Sequence, residues 1–204
     1  MRSGAKHTLC RRTGSCIWGC PKCPSVKRPY AAGQHGNSKG KAKGGRNKLS
    51  TYAQMLLEKQ KLRVHYGMTE HQLRYVYEKA KVGQGQTSEK FMRNLELRLC
   101  SVVYRSGLVP SISAARQAVL HRHILVDDKI VNRSSFRLKA GQVVSINAQR
   151  SPAIAAIAAK VDAVPPPYLE LNKEGCKVTV AREPNLDEIP TTVNLTSVVE
   201  FYAR

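Results

Sequence analysis

Acidic side chains are absent from the first 57 residues of this chain, which carry twelve lysines and arginines before the first carboxylate at Glu58. Long apolar runs are absent as well. No stretch approaches the roughly 20 residues of a membrane-spanning helix, so we expect no membrane partner. The first 30 residues lack the apolar core of a secretory signal, and the cysteines that begin at Cys10 leave no room for an organellar transit peptide. We therefore expect a mature chain in a reducing compartment.

Aromatic residues are also few, at 6% of the 204 residues, although a hydrophobic content of 42% supports modest cores in one or two domains. Positive charge is in excess, and the formal net charge is +20 at pH 7. Residues 58–150 carry 17 basic and 7 acidic side chains, whereas residues 151–204 carry 5 and 7. Because such an excess of one sign indicates a polyanionic partner, the first three quarters of the chain are predicted to contact nucleic acid.

The cysteines are concentrated near the start of the chain. Four of the six fall within 14 residues, at Cys10, Cys16, Cys20 and Cys23. Zinc takes four thiolate or imidazole ligands at tetrahedral positions, and a Cys-x2-Cys turn that contains proline can present two of them. The segment is too short and too polar to fold otherwise, so the free energy of metal binding would supply its folding free energy. The pattern predicts one zinc ion bound by these four cysteines.

Three alternatives to this ligand set stay open. The thiols could be free on a basic arm, or they could hold an iron–sulfur cluster, which four thiolates also suit. His7 or His35 could replace one cysteine as a ligand. The other two cysteines, Cys100 and Cys176, lie in apolar-patterned segments and are predicted to be buried small hydrophobic residues.

Residues 33–48 form a glycine- and lysine-rich run, GQHGNSKGKAKGGRNK, with five basic residues between Lys39 and Lys48 and no acid. Such a run cannot bury enough apolar surface to order by itself. It is either a disordered linker or a segment that becomes ordered against phosphate groups, and its charge favours the second. The first 48 residues are therefore predicted to form a basic arm that carries the cysteine cluster.

The middle of the chain has helical periodicity. A first apolar stripe begins at Ser50 and stops at Gly67, and a second helix opens with the capping box Thr69-x-x-Gln72. A third helix begins near Thr87 or Ser88 and is predicted to run to a stop at Gly107. These stripes are interpreted as core, and the basic residues between them as phosphate contacts.

A compact module of helices and short strands follows. Ser111 or Ser113 caps a helix that turns Arg116, Gln117 and His121 outward, and the last two share a face because they are four residues apart. RNA helices are recognised largely by their shape, their phosphates and their 2′-hydroxyls. An outward face with these polar side chains suits that kind of recognition.

Three short strands complete the module. They are predicted at Ile124–Val126, at Lys129–Val131 after the Asp127-Asp128 turn, and at Val143–Ile146. The second strand and its end supply Lys129, Asn132 and Arg133, which would lie beside the helix and make the surface concave and basic. The module is therefore predicted to bind RNA.

The last quarter of the chain is the acidic part. Residues 151–204 are predicted to hold a short helix in SPAIAAIAAKV, a rigid linker at Pro165–Pro167, and β or mixed apolar elements at Lys177–Val180 and Val193–Val199. Since this region carries little positive charge, we expect it to pack on the helical domain or to meet protein neighbours.

The module is similar in sequence to a known family. Its segments LELRLCSVVYRSGL, SAARQAVLHRHILVDDKIVN and LKAGQVVSI closely resemble the RNA-binding module named after small-subunit ribosomal protein number four. The segments RPYAAGQHG (28–36), LSTYAQMLLEKQKLRVHYGM (49–68) and GQTSEKFMRNLE (85–96), with the C-terminal VNLTSVVEFYAR, resemble that ribosomal protein itself. Together they cover most of the chain in the family's order.

This resemblance implies an α+β fold. A basic N-terminal cysteine-cluster arm (1–48) would precede a helical domain (49–92) that residues 151–204 complete, and a small α/β RNA-binding module (93–150) would be inserted between them. It also implies a structural constituent of the small ribosomal subunit that binds the 5′ domain of the small-subunit ribosomal RNA early in assembly. Its neighbours would be ribosomal proteins number three and five and the mRNA entry channel. The ribosome could be bacterial, in the cytoplasm, or organellar, in the matrix or stroma, and many bacterial members bind zinc near the N-terminus.

The resemblance also implies which residues face RNA. The family's RNA-facing positions that match here are Gln34, His35, Tyr52, Lys59, Gln60, Lys61, Arg98, Arg105, Arg116, Gln117, His121 and Asn132. The module's own pattern adds Lys129 and Arg133. For Tyr52 a core position is an equal alternative, because it lies on the apolar stripe of the first helix.

The chain departs from the family pattern at several positions in the module. Asp127-Asp128 replaces the usual Asn-Gly turn, Cys100-Ser101 replaces a usual Asp-Asn pair, and Ser134 stands where proline is common. Arg122 stands where a glycine is common. Because a side chain resists positive φ, a left-handed helix cap is not expected at Arg122.

The same module also suits two other classes of protein, RNA-modifying enzymes and free regulatory RNA-binding proteins. An RNA-modifying enzyme that carries this module would need a positioned aspartate or a nucleophile with a partner base, but the 14 acids are scattered and the histidines have no such partner. No catalytic residue is therefore predicted, and the chain is not expected to be an enzyme. A free regulatory RNA-binding protein would need no additional residues and stays an alternative.

Overall fold

The structure is a computed structural model that describes residues 7–18, 20, 22–34, 36, 50–82, 84–147, 149–160, 164–172 and 176–203. These residues contain helices and an antiparallel sheet, which confirms the predicted α+β class. The chain divides into two compact units, residues 1–74 with 192–204 and residues 75–191. In the described part of the chain, no helix has both the length and the apolar character needed to cross a membrane.

The helix starts follow local signals in the sequence. The helices are α1 (Thr8–Thr13), α2 (Pro24–Lys27), α3 (Thr51–His65), α4 (Glu70–Lys81), α5 (Thr87–Glu96), α6 (Leu99–Arg105), α7 (Ile112–Leu120), α8 (Pro152–Lys160) and α9 (Leu195–Ala203). The Ser50 hydroxyl caps α3 by accepting the Ala53 N–H at 3.3 Å. Before α4, Thr69 and Gln72 exchange side-chain-to-backbone hydrogen bonds of 3.3 and 3.2 Å. The predicted capping box is therefore confirmed.

The first unit is closed by the C-terminal helix α9, which packs along α3. The rings of Tyr52 and Phe201 lie 5.7 Å apart. The Lys59 ammonium lies 4.2 Å from the centre of the Phe201 ring and 2.8 Å from Glu70 Oε1, and the Tyr202 hydroxyl donates to the same oxygen at 2.9 Å. The apolar segment that the sequence indicated as β or mixed is thus helical, because its aromatic residues meet α3.

The second unit holds an antiparallel sheet in the order β2-β1-β3-β5-β4. The strands are β1 (Ile124–Val126), β2 (Lys129–Ile130), β3 (Val143–Ile146), β4 (Leu169–Asn172) and β5 (Lys177–Val180). Val144 of β3 lies opposite Val178 of β5, and both are fully buried. The strands β4 and β5 therefore extend the module's sheet, whereas the sequence placed their segment with the helical domain. The predicted domain boundaries themselves stay a prediction.

The predicted third helix is broken into α5 and α6. Arg98 has an extended backbone, with ψ 138°, and pairs with Arg137 in an isolated β-bridge. The Leu138 N–H donates to the Leu97 carbonyl at 2.8 Å. Because these long-range hydrogen bonds replace helical ones, the prediction of one helix up to Gly107 is wrong at this point.

The helix α7 ends in a left-handed residue. Arg122 has φ 64°, its N–H donates to the Val119 carbonyl at 3.0 Å, and the His123 N–H donates to the Ala118 carbonyl at 3.0 Å. These two bonds are the Schellman pattern of helix ends. The expectation that Arg122 would prevent such a cap is therefore wrong, because the bonds outweigh the strain of a side chain at positive φ.

The turn between β1 and β2 also has positive φ, at 48° for Asp127 and 61° for Asp128. Both central residues of a type I′ turn need such values, so the Asp-Asp pair adopts the conformation that Asn-Gly favours. The Asp127 carboxylate accepts the Val143 N–H at 2.9 Å and the Gln142 side-chain amide at 2.8 Å. The bond from Val143, with that from Gln142, lowers the pKa of Asp127.

Replacing Asp128 with glycine is expected to raise the free energy of unfolding by about 1 kcal/mol, because glycine adopts positive φ without steric cost. Urea unfolding followed by circular dichroism measures the change. Asp127→Gly is the control, since it relieves the same strain but loses the bonds to Gln142 and Val143, and it is expected to give no gain. Equal stabilisation by both changes would contradict the assignment of a structural role to the Asp127 carboxylate.

Candidate nucleic-acid interface and metal centre

The second unit presents two exposed polar groups, one on α7 and one after the β1–β2 turn. Five of the predicted RNA-facing side chains are exposed, namely Gln117, His121, Lys129, Asn132 and Arg133. Arg116 on α7 is half-buried. Because α7 starts at the Ser111 cap and the turn is held by Asp127, both groups are presented from ordered backbone.

Two arginines that were predicted to face RNA lie inside this unit. Arg105 Nη2 lies 2.8 Å from Glu96 Oε1, and the Tyr168 hydroxyl donates to Glu96 Oε2 at 3.0 Å. The Glu96 side chain is fully buried and that of Arg105 is 9% exposed. Burial, followed by the charge of Glu96, raises the pKa of Tyr168. Arg98 is only 6% exposed, so the fold encloses both arginines, and their contact with RNA stays a prediction.

In the first unit the predicted contact residues of α3 differ in exposure. The Lys59 side chain is 9% exposed and its charge is paired with Glu70, which gives it a structural role, while its RNA contact stays a prediction. Lys61 and Gln60 are half-buried, and Lys61 Nζ pairs with Glu58 at 2.5 Å. Tyr52 is 54% exposed although its ring contacts Phe201, so it serves the packing of α9 and still presents a face outward.

The basic arm is described only in part. Gln34 is exposed in a tight turn, and any side chain at Gly36 would lie 1.8 Å from the Ala31 carbonyl oxygen. Glycine is therefore required at that position. The predicted contact residue His35 and the lysine-rich residues 37–48 lie outside the described residues.

The N-terminal cysteines fold into a group that could hold a metal ion. Its members are His7, Cys10, Cys16 and Cys23, whose ligand atoms all lie within 4.8 Å of one another. Zinc holds such ligands at about 2.0–2.3 Å, so small side-chain movements would close the group on one ion. The Cys20 sulfur does not belong to it, and His7 takes the fourth place instead. The sequence left open whether a histidine replaces one of the four cysteines, and in this structure His7 is the histidine that lies with the other three.

Hydrogen bonds surround the three sulfurs. The Ile17 N–H donates to Cys10 Sγ at 3.5 Å, the Cys20 N–H to Cys16 Sγ at 3.2 Å, and the Ser25 hydroxyl to Cys23 Sγ at 3.1 Å. Burial raises the pKa of Cys10 to about 11. Burial also acts to raise the pKa of Cys23, but the hydrogen bonds from Ser25, together with those from Cys16 and Cys10, outweigh it and the net shift is downward. Donors directed at sulfur favour the thiolate, which is the form that binds metals.

The group is attached to the rest of the first unit. The Ile17 carbonyl lies 3.1 Å from His65 Nδ1 on α3, and Val64 of the same helix packs against the cluster. Trp18, the single tryptophan, lies edge-on to His7 with ring centres 5.8 Å apart. An ion bound here would therefore fasten the segment from His7 to Cys23, as far as the structure describes it, to α3, with Trp18 beside it.

Sequence reasoning missed two exposed arginines at the end of α7. Arg122 and Arg150 line an open concavity of about 390 Å³ together with Leu120, His121 and His123. For Arg122 the signal was present, since arginine stands where glycine is common. For Arg150 no signal in the sequence distinguishes it from other surface cations.

The helices and strands of residues 97–144, with their exposed polar groups, define a protein that carries a small α/β module of one known kind. This range matches the family model described as "S4 domain". Residues 2–96 match the family model described as "Ribosomal protein S4/S9 N-terminal domain". The two matches adjoin and follow the order in which the structure shows the helices and the sheet.

Whole-chain relatives extend these matches. The chain is 42% identical to a protein of Bifidobacterium longum (strain DJO10A) over 100% of this chain and 98% of the relative. It is 43% identical to one from Clavibacter sepedonicus over 99% and 97%, and 44% identical to one from Leifsonia xyli subsp. xyli over 87% and 86%. All three are named "Small ribosomal subunit protein uS4". The chain therefore belongs to the ribosomal protein S4 family.

Proposed function

We propose that the chain is a structural constituent of the small ribosomal subunit and binds small-subunit ribosomal RNA, without enzymatic activity. The observation that carries this proposal is the 42% identity over the whole chain to a protein named for that subunit. The net charge of +20 supplies attraction to RNA that does not depend on sequence. By family resemblance, the RNA site is the 5′ domain, bound early in assembly near the mRNA entry channel, with ribosomal proteins number three and five as neighbours.

The proposed RNA surface consists of the exposed and half-buried residues of the predicted set. They are Gln34, Tyr52, Gln60, Lys61, Arg116, Gln117, His121, Lys129, Asn132 and Arg133. His35, which lies outside the described residues, is kept in the set on family resemblance alone. The interior cations Lys59, Arg98 and Arg105 are left out, because their charge or backbone serves the fold. Phosphate contacts by such a surface fix position, and RNA shape supplies the specificity.

The double change Lys129→Gln with Arg133→Gln is expected to weaken RNA binding and its salt dependence. Each lost phosphate contact lowers the slope of log affinity against log salt by about 1, so the slope should fall by about 2. Fluorescence anisotropy with a labelled 5′-domain RNA fragment at several salt concentrations measures both quantities.

The control removes the same charge from the acidic last quarter of the chain, through Lys177→Gln with Arg182→Gln. Both of these residues are exposed, and Arg182 already pairs with Glu188 at 2.5 Å. The control is expected to retain nearly the wild-type slope. Equal loss in both double variants would mean that net charge alone drives binding and would contradict a defined surface on the module.

We further propose that zinc occupies the group of His7, Cys10, Cys16 and Cys23. A site closed by four protein ligands supplies folding free energy rather than catalysis. Three thiolates and one imidazole suit zinc, whereas an iron–sulfur cluster is most often held by four cysteines, and Cys20 lies outside the group. Zinc would hold the cysteine segment of the basic arm against α3, so that the cations of the arm are attached to an ordered segment.

Sedimentation separates a ribosomal constituent from the alternatives. A native lysate is run through sucrose gradients at two magnesium concentrations, and the chain is detected by immunoblot. It is expected to follow the small subunit after the subunits dissociate and to stay there through a salt wash. Recovery with free protein at the top of the gradient would instead indicate a regulatory RNA-binding protein or an RNA-modifying enzyme. Fractionation of the source cell, whether bacterial cytoplasm or organelle, gives the location of that ribosome.

A further inference from the structure

The end of α7 combines backbone strain with an exposed cation. Arg122 has φ 64°, a value that is uncommon for a bulky residue and that glycine adopts freely. Such outliers persist where the surrounding structure imposes them, and they concentrate at functional positions. The bonds of the cap would form equally well with glycine, because they involve only the backbone of residues 118, 119, 122 and 123. Compared with glycine, arginine at this position therefore contributes only its side chain, since the hydrogen bonds of the cap are the same.

A second cation is brought to the same place by the segment after β3. The Asn147 N–H donates to the His123 carbonyl at 2.9 Å, and Asn147 Oδ1 accepts the Arg150 N–H at 3.2 Å. Ser151 lies at the N-terminal end of α8, and its hydroxyl forms a hydrogen bond with His123 Nδ1. His123 thus joins the α7 cap to the turn that carries Arg150, and the two arginines are held at one concavity.

The concavity has the composition of an anion site. Among the described residues its lining is Leu120, His121, Arg122, His123 and Arg150, which supply two permanent cations, two imidazoles and no carboxylate. Arg122 and Arg150 are exposed. The carbonyl end of α7 stabilises positive charge nearby, which favours both guanidinium groups at this place. Guanidinium presents paired donors that match the oxygens of a phosphate.

We infer that this concavity, the α7 notch, binds a phosphodiester group of the RNA backbone through Arg122 and Arg150. The inference rests on the proposed RNA binding and adds a contact at a position where glycine would offer no side chain. A backbone phosphate is the ligand, because the charged groups are paired donors around an open space, and the described part of the lining includes no large aromatic ring on which a base could stack. The notch would therefore strengthen binding to any RNA helix of suitable shape.

The test measures stability and RNA affinity in the same variants of the full chain. Arg122→Gly is expected to raise the urea midpoint, because strain is relieved, and to lower the affinity for the 5′-domain RNA fragment about tenfold, with a salt slope smaller by about 1. Arg150→Gln is expected to give the same loss of affinity and slope with an unchanged midpoint. Opposite changes in stability and affinity in one variant cannot come from partial unfolding.

Asp128→Gly is the matched control. It also replaces a residue at positive φ in the same unit, but it removes an anion, so stability should rise without loss of affinity. Wild-type affinity in both Arg122→Gly and Arg150→Gln would overturn the notch, as would a loss confined to one of them. In that case the Lys129 and Arg133 double variant still shows whether RNA binding by the module stands. Absence of salt-dependent RNA binding in the wild type would instead overturn the proposed function.

Discussion

Replacing Glu96 with glutamine is expected to lower the free energy of unfolding of the second unit by about 3–5 kcal/mol. Glu96 is fully buried, faces Arg105 at 2.8 Å and accepts the Tyr168 hydroxyl at 3.0 Å. Glutamine keeps the shape but not the charge, so Arg105 would become a buried cation without its counter-ion. Tyr168 stands just before β4, so the damage should reach the outer strands of the sheet.

Urea unfolding by circular dichroism, with hydrogen exchange of peptides from β4 and β5, measures the loss. Glu183→Gln is the control, because Glu183 pairs with Arg93 at 2.8 Å but is 52% exposed, and such pairs contribute about 1 kcal/mol or less. Tyr168→Phe retains the ion pair and should cost about 1.5–3 kcal/mol for one hydrogen bond to a charged group. If Glu96→Gln costs no more than Glu183→Gln, the buried pair does not stabilise the unit.

Replacing Cys23 with serine is expected to abolish zinc binding, whereas replacing Cys20 with serine should leave one zinc ion per chain. Structural zinc contributes about 10–16 kcal/mol in small zinc peptides at pH 7, so its loss should unfold the N-terminal segment. Native mass spectrometry counts the ion, and the emission of the single tryptophan, Trp18, should move to longer wavelength in Cys23→Ser alone. Chelation of the wild type should give the same shift.

His7→Asn decides the fourth ligand. Loss of zinc in His7→Asn and retention in Cys20→Ser would support the group that the structure brings together. The opposite pair of results would contradict that group and restore the four-cysteine set predicted from spacing. Hydrogen exchange of α5 and β3 in the second unit controls for general unfolding, since neither element contributes a residue to the group.

Several features could be predicted because the sequence encodes them over short distances. The Thr69–Gln72 capping box involves residues three apart and forms as predicted, and the helix predicted from Ser50 begins there with a cap between residues three apart. The three strands of the module also form close to the predicted positions, since β1, β2 and β3 are short apolar segments that lie between turn residues. Local hydrogen bonds and periodicity are sufficient for such elements.

Other features depend on residues that are distant in sequence. The break between α5 and α6 requires the partner strand at Arg137, and the helical conformation of α9 accompanies packing of its aromatic residues on α3. The apolar periodicity indicated one continuous helix across the break between α5 and α6, and it left the conformation of the α9 segment undecided. Apolar spacing does not specify the surface against which a segment packs. The same limit applies to Arg122, where backbone hydrogen bonds impose a conformation that the residue type disfavours.

The sequence by itself determined the excess of positive charge, the starts of α3, α4, α5 and α7, the cysteine cluster and the likeness to a ribosomal family, since each is carried by residue types and short spacings. Only the tertiary structure decided which cations face outward. Arg105 pairs with Glu96 in a buried network that also includes Tyr168, which lies 72 residues from Glu96 in the sequence. Lys59 pairs with Glu70 beneath α9. His7 replaces Cys20 in the metal group by the same principle, because the distances between ligand atoms follow from folding and not from spacing.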